Sequence, residues 1–205
     1  MNCPYCQNPA FETALECQSC GLSLEKVEKL MGAVPAGITA PVADLAQLFS
    51  KAERRSVSGA VAKFEERFPQ ARFSVLATRL PAETHLGIYA FWIFNKGGIC
   101  RDIDRGPDNR NVLLTIDAGN ARANVMVGYG LEPFVGTAHL EQVLTAARPE
   151  FAKHRYAEGT LAAIKALSAI LAKVSATMDQ TYGIQLDAIY RKESGADRPR
   201  PVADY

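Results

Sequence analysis

The stretch NVLLTIDAGNARANVMVGYGLE, Asn111 to Glu132, decides the fold. Two strand-like runs, Val112–Ile116 and Ala121–Val127, flank Gly119-Asn120, a Gly-X pair suited to the tight turn of a two-residue hairpin. If Ala118 faces Ala121, then Ile116 faces Ala123, Leu114 faces Val125 and Val112 faces Val127, all on one side of the sheet. The other side pairs Asp117 with Arg122, Thr115 with Asn124 and Leu113 with Met126. One face is therefore read as core. A slip by one residue would set Met126 and Asn124 against the apolar row, so pattern and turn chemistry agree. Asp117 is expected to make a cross-strand pair with Arg122, worth roughly 0.2–1 kcal/mol. The same register predicts Asn109 opposite Gly130 and Asp108 opposite Leu131. The glycines of Gly128-Tyr129-Gly130 either let the chain leave the sheet where a side chain would clash, or line a ligand edge.

The run VLLTID…VMVGYGLE, with the amphipathic helix after it and the β–α unit before it, resembles the TPM-domain family. The resemblance extends from about Val42 to Val174 and is most specific at VGYGLE. It implies an α/β sandwich, often tethered to a membrane or envelope, with acid-phosphatase or divalent-metal-binding activity proposed for some members. This chain departs from the family pattern at two places. Arg110-Asn111 stands where the family has Asn-Gly before the strand, and Asn120-Ala121 where its turn has Asp-Arg.

At 205 residues, 48% hydrophobic and with net charge +1, the chain has material for one ordinary core and a small appendage. No apolar run is expected to reach the ~20 residues of a membrane span. The N-terminus, MNCPYC, has neither a basic n-region nor an apolar h-region, so a cytoplasmic address is expected. No clustered basic surface is visible, which argues against nucleic acid as a partner.

Cys3-x-x-Cys6 and Cys17-x-x-Cys20-Gly21 carry the strongest chemical signal. Each CxxC can close a turn that presents two thiolates, and the spacer lets both turns meet in a tetrahedral site. Residues 1–24 read as a small zinc ribbon. Disulfides or a redox CxxC are the competing readings, disfavoured without an export signal or a thioredoxin-like βαβ context. Four protein ligands leave no open position, so the Zn2+ is expected to be structural and to supply the folding energy of a segment too short for a core of its own. Cys100 has no cysteine or histidine partner and is expected to be inert. His85, His139 and His154 form no metal-spaced pair.

Residues 25–41 begin as a short helical run and continue as a Gly- and Pro-rich linker expected to make few contacts. The main domain, 42–177, is expected to be a mixed α/β sheet with helices on its faces. It starts with a helix over Ala43–Phe68, in which Asp44 is either an N-terminal cap or a ligand. A strand over Arg72–Thr78, a helix over Pro81–Phe94 and the hairpin then make a parallel crossover, with Trp92 and Phe94 read as core. Helices over Thr137–Phe151 and Glu158–Thr177 cover the sheet. Residues 178–205 read as a helical extension and a polar, Pro-containing tail expected to be disordered.

The connection from Lys96 to Arg110 is dense in Arg, Asp and Gly. It could hold an oxyanion, hold a hard cation such as Ca2+ or Mg2+, or pair with itself in solvent. The candidate set for such a second site is Asp44, Asp108, Asn109, Gly128, Gly130 and Glu132. Two function classes follow. One is a protein-binding or adaptor module whose protein partner is unknown. The other is a metal-dependent phosphatase using loop 100–111 and the Gly128–Glu132 edge.

Overall fold

The computed structural model describes residues 2–11, 14–38, 41–100 and 109–182. It divides into two compact units, Met1–Ser168 and Ala169–Tyr205. A four-stranded sheet in the order β1-β2-β3-β4 organises the first unit: β1 (Val42–Asp44), β2 (Arg72–Thr78), β3 (Asn111–Asp117) and β4 (Arg122–Val127). The first three strands are parallel, and β4 returns antiparallel to β3. The pairs Val112↔Val127, Leu113↔Met126, Leu114↔Val125, Thr115↔Asn124, Ile116↔Ala123 and Asp117↔Arg122 are those the alternating pattern demands.

Both faces of β3 are core, where the hairpin pattern suggested one; every residue of the strand is buried. A hairpin read alone has two sides, but here β2 lies beside β3 and helices cover both faces. On one face Leu76, Leu113 and Met126 pack with Tyr89, Trp92, Ile93 and Phe94 of α3 (Leu86–Lys96). On the other, Phe64 of α2 (Lys51–Arg67) meets Phe73 with ring centroids 5.4 Å apart, and α4 (Thr137–Phe151) buries Val143 and Ala147. Residues Thr137–Phe151 satisfy the helical spacing from end to end despite Pro149.

The helix expected over Ala43–Phe68 is instead a short strand, a turn and a helix. Ser50 starts α2 through a capping box, with Glu53 N–H donating to Ser50 Oγ at 3.2 Å and Ser50 N–H donating to Glu53 Oε2 at 2.7 Å. Likewise α3 starts at Leu86, where His85 Nδ1 accepts from Ile88 N–H, and not at Pro81.

Residues 25–41 open with the short helical run the sequence predicts, α1 (Leu24–Met31). Its Val27 is 1% exposed and lies in the cluster of Trp92 and Ile93, with Met31 and Ile38 packed against it. A helix with one apolar residue per turn can dock on a larger core, so this stretch makes contacts a free linker would not.

The last helix, α5, runs over Tyr156–Tyr182. Its segment Tyr156–Thr177 spans 22 residues and is long and apolar enough to cross a membrane by length and composition, contrary to the expectation that no run approaches that length. Alanines interleaved with Leu and Ile raise its mean hydropathy, and Ala157, Ala163, Ile164 and Leu167 are among its buried residues. The tail beyond Tyr182 lies outside the described residues.

Candidate functional site

Cys3 and Cys17 open two turns built alike. Gln7 N–H donates to Cys3 O at 3.0 Å, as Gly21 N–H does to Cys17 O at 2.7 Å. Cys3 N–H donates to Asn8 O and Cys17 N–H to Leu22 O, both at 2.8 Å. The residue after each second cysteine is left-handed, with φ of 60° at Gln7 and 69° at Gly21. These turns bring four sulfurs within 4.8 Å of one another, with Cys3 Sγ to Cys20 Sγ and Cys6 Sγ to Cys17 Sγ each 3.7 Å. Sulfurs about 2.3 Å from a tetrahedral ion lie about 3.8 Å apart, whereas disulfide sulfurs lie about 2.05 Å apart. The four cysteines are free thiols whose spacing fits a metal ion.

Their electrostatics point the same way. The Cys17 thiol is drawn down to about 7, first by the amide of Cys20 and then by that of Ser19. At Cys20 the Leu22 amide pulls down, but burial and the sulfurs of Cys6, Cys17 and Cys3 push the thiol up to about 12. Neighbouring thiols cannot all ionise together unless a cation joins them. Cys100 has no such company. Buried in the α3 core, its thiol is pushed up to about 12, as an inert cysteine requires.

The cysteine turns are seated on the helices beside them. A Cβ on Gly87, in the first turn of α3, would lie 2.9 Å from the Pro4 carbonyl, so only glycine lets the Cys3–Cys6 turn approach. Tyr5 meets the His85 ring edge-on at 5.9 Å. Lys26 Nζ donates to Gly21 O at 2.7 Å and pairs with Glu16 at 3.2 Å, fastening α1 to the second turn.

The acid and glycine candidates separate into two places. Asp44 pairs with Ala77 at the C-terminal end of the parallel strands, beside Thr78↔Asp117. Asn109, Gly128, Gly130 and Glu132 lie past the other end of β3, about 20 Å away at ~3.3 Å per residue. Asp108 lies outside the described residues. The Asp44 carboxylate closes the turn before α2, with Oδ1 accepting from Leu48 N–H and Oδ2 from Phe49 N–H, both at 2.9 Å. It caps a turn and does not open a helix. The capping box spelled Ser50-x-x-Glu53 marks the true helix start, and it was readable in the sequence.

Asn109 sits opposite Gly130, whose N–H donates to its carbonyl at 2.8 Å, as the register predicts. Its role there is packing: a Cβ on Gly128 would collide with the Asn109 carbonyl and side-chain amide. Asn109 Oδ1 accepts from Asn111 N–H at 3.2 Å and Asn111 Nδ2 at 3.0 Å. Of the two readings of these glycines, the close-approach one accounts for Gly128.

Asp117 does more than pair across the strands with Arg122. Its side chain is fully buried and accepts five hydrogen bonds: from Leu80 N–H at 3.1 Å, Gly119 N–H at 3.2 Å, Asn120 Nδ2 at 2.9 Å, and Arg122 Nε at 3.2 Å and Nη2 at 2.7 Å. Burial works to raise its carboxyl, but Asn120, Arg122 and the Leu80 amide together hold it below the usual carboxylate range. The carboxylate also reshapes the turn. The loop runs over Ala118–Ala121, and Ala121 takes the left-handed position at φ 49° that a two-residue Gly-Asn turn would have given to its centre.

Between the first cysteine turn and α3 on one side and α4 on the other runs a groove of about 1270 Å³. It is lined by apolar side chains such as Phe91, Met126, Leu140 and Leu144 among polar groups such as Asn95 and Asn124. Sequence reasoning missed it, because its walls come from segments far apart in the chain.

Three solved bacterial structures have this fold. The N-terminal domain of a protein from P. gingivalis matches with a TM-score of 0.56 at 23% identity, over 67% of this chain and 88% of that one. The BA42 protein from the psychrophilic bacterium Bizionia argentinensis matches with a TM-score of 0.55 at 14% identity, over 64% and 86%. An N-terminal domain from Corynebacterium glutamicum matches with a TM-score of 0.51 at 12% identity, over 66% and 82%. At such identities they speak for the fold alone. No curated protein matches the sequence. A TPM-domain profile matches residues 42–170, which is most of the chain and contains the whole sheet, and the protein therefore belongs to the TPM-domain family.

Proposed function

We propose that the protein is a zinc-bearing module that binds a protein partner and does not hydrolyse phosphate esters. The observation that carries this reading is a cluster of four thiols seated against α3, beside a groove with apolar side chains on both walls. Four sulfurs gathered within 4.8 Å favour a soft or borderline ion, and paired CxxC turns favour zinc. Cys3, Cys6, Cys17 and Cys20 would fill its coordination and leave no place for a substrate or an attacking water. Its part is to hold the two turns together and so to keep one wall of the groove in place. Four reduced thiols suit a reducing compartment, in keeping with a cytoplasmic address.

The hydrolase reading needs carboxylates free to bind a hard cation or move a proton. Both oxygens of Asp44 accept backbone amides, Asp117 accepts five donors, and Asn109 is engaged with Asn111 and Gly130. Freshly reduced protein is expected to carry one zinc per chain by elemental analysis. With p-nitrophenyl phosphate and Mg2+ or Ca2+ it should show no turnover above background. Robust divalent-dependent turnover that disappears in Asp44→Ala would overturn the binding reading, and protein purified without zinc would overturn its metal.

A further inference from the structure

Side chains alternate along a strand, so a cavity lying over one face of a sheet meets every second residue. The groove meets Asn124, Val125, Met126 and Val127 in succession, so it follows the outer backbone edge of β4. The hydrogen-bond phase of that edge is fixed by Gly128, whose N–H donates to Asn111 O at 2.9 Å. Bonded pairs alternate in an antiparallel ladder, so Met126, Asn124 and Arg122 also turn their amides and carbonyls toward β3. Ala123, Val125 and Val127 turn theirs outward. β4 ends the sheet, and among the described residues no strand lies beyond it.

This edge is sunk. Val125 is 5% and Val127 8% exposed although they sit on the last strand, because helices flank it on both faces. A recess of that shape excludes the broad edge of a second sheet and admits one extended chain at ~4.8 Å from β4. Apolar side chains stand on both walls, Phe91 and Met126 on the α3 side and Leu140 on the α4 side, among polar ones such as Lys96 and Glu141. Asn124 lines the same groove, although its Oδ1 is buried away from it and has no partner among the described residues.

Building on the binding-module reading, we propose that the groove takes an extended segment of the partner protein as a fifth strand. Outward amides and carbonyls of Ala123, Val125 and Val127 supply the pairing. A peptide residue bonded to Val125 sets its side chain on the Val125 face, toward Leu140, and its neighbours set theirs toward Phe91 and Met126. The segment therefore carries apolar side chains where they meet Leu140 on one face and Phe91 and Met126 on the other.

The test uses the zinc-loaded full chain and a displayed library of random decapeptides, followed by residue-resolved amide exchange with a selected peptide. The amides of Ala123, Val125 and Val127 should slow on binding, while those of Arg122, Asn124 and Met126, already bonded to β3, change little. N-methylation of the peptide at alternate residues should weaken binding roughly tenfold per lost hydrogen bond in one phase and little in the other. Ala123→Pro removes an outward N–H without touching the ladder and should weaken binding similarly, with the N-methyl series deciding if that variant fails to fold. The inference is overturned if the three amides are already slow in the free protein, if selected peptides slow other amides, or if no peptide is enriched. None of these outcomes touches the binding-module reading, which the phosphatase assay tests separately.

Discussion

The cysteine turns and the β3–β4 turn both reverse the chain tightly under side-chain control, yet they balance charge in opposite ways. At the hairpin, one carboxylate is met from within by Arg122, Asn120 and the amides of Leu80 and Gly119. At the cysteine turns, four sulfurs face one another, and no cationic side chain is among the hydrogen-bond partners described for them. One turn carries its counter-charge in the chain; on the proposed function the other receives it from zinc. Order at the hairpin is thus set within the chain, whereas on that reading order at the cysteine turns depends on the ion.

Cys17→Ser, or chelation of the wild type, breaks this comparison most forcibly. If the cluster holds zinc as proposed, either should release the ion and collapse the amide dispersion of residues in both cysteine turns, since each turn holds two of the four sulfurs. The β3–β4 ladder should keep its slow exchange, because that core rests on apolar burial. Val27 joins the same core through α1, so the midpoint of the melt should fall modestly. Elemental analysis and residue-resolved exchange check both halves, and loss of the ladder in the same step as the zinc would show that the hairpin's order is conditional too.

Asp117→Ala tests the other side. Removing one partner of a buried pair costs about 3–5 kcal/mol, and the Arg122 side chain is 33% exposed and can reach water, so about 2–4 kcal/mol is expected by chemical denaturation. The pH dependence has a definite sign. A carboxyl held below its ordinary value stabilises the fold fully above that value, ~3.9, and loses the contribution as pH falls through the lower folded value. The gap between wild type and Asp117→Ala should stay constant from neutral pH to about 4 and narrow below it. A gap that closes near neutrality would contradict the lowered carboxyl.

The sequence disclosed what repeats at short range. Alternation from Val112 to Val127 set the register, spacing from Leu140 to Phe151 set α4, and paired CxxC located the four sulfurs. It was silent where burial depends on distant partners. Asp117 reads as a hairpin-end acid until Leu80, at the exit of β2, is brought against it. Asp44 was absorbed into a helix because a three-residue strand is too short to show a period. Leu24, Val27 and Met31 do mark one face of α1, but only α3 gives that face something to cover. The groove is the extreme case, since no local pattern encodes a wall assembled from a cysteine turn, α3, β4 and α4.

The smallest effect sharpens the comparison within the hairpin itself. Ala121 holds a φ of 49° at an exposed position, a conformation that costs an L residue roughly 1–2 kcal/mol. Glycine adopts it freely but loses more chain entropy on folding, about 0.5–1 kcal/mol. Ala121→Gly should therefore leave the register unchanged and stabilise the protein by about 0.5–1 kcal/mol, seen as a higher denaturant midpoint at constant slope. That outcome would mean that the Asp117 network holds the turn against a strained alanine, so that side-chain charge, and not the turn residues, fixes the reversal. A destabilised Ala121→Gly variant would mean that the methyl group packs usefully in the folded turn, and would shift credit for the hairpin from Asp117 toward the loop's own residues.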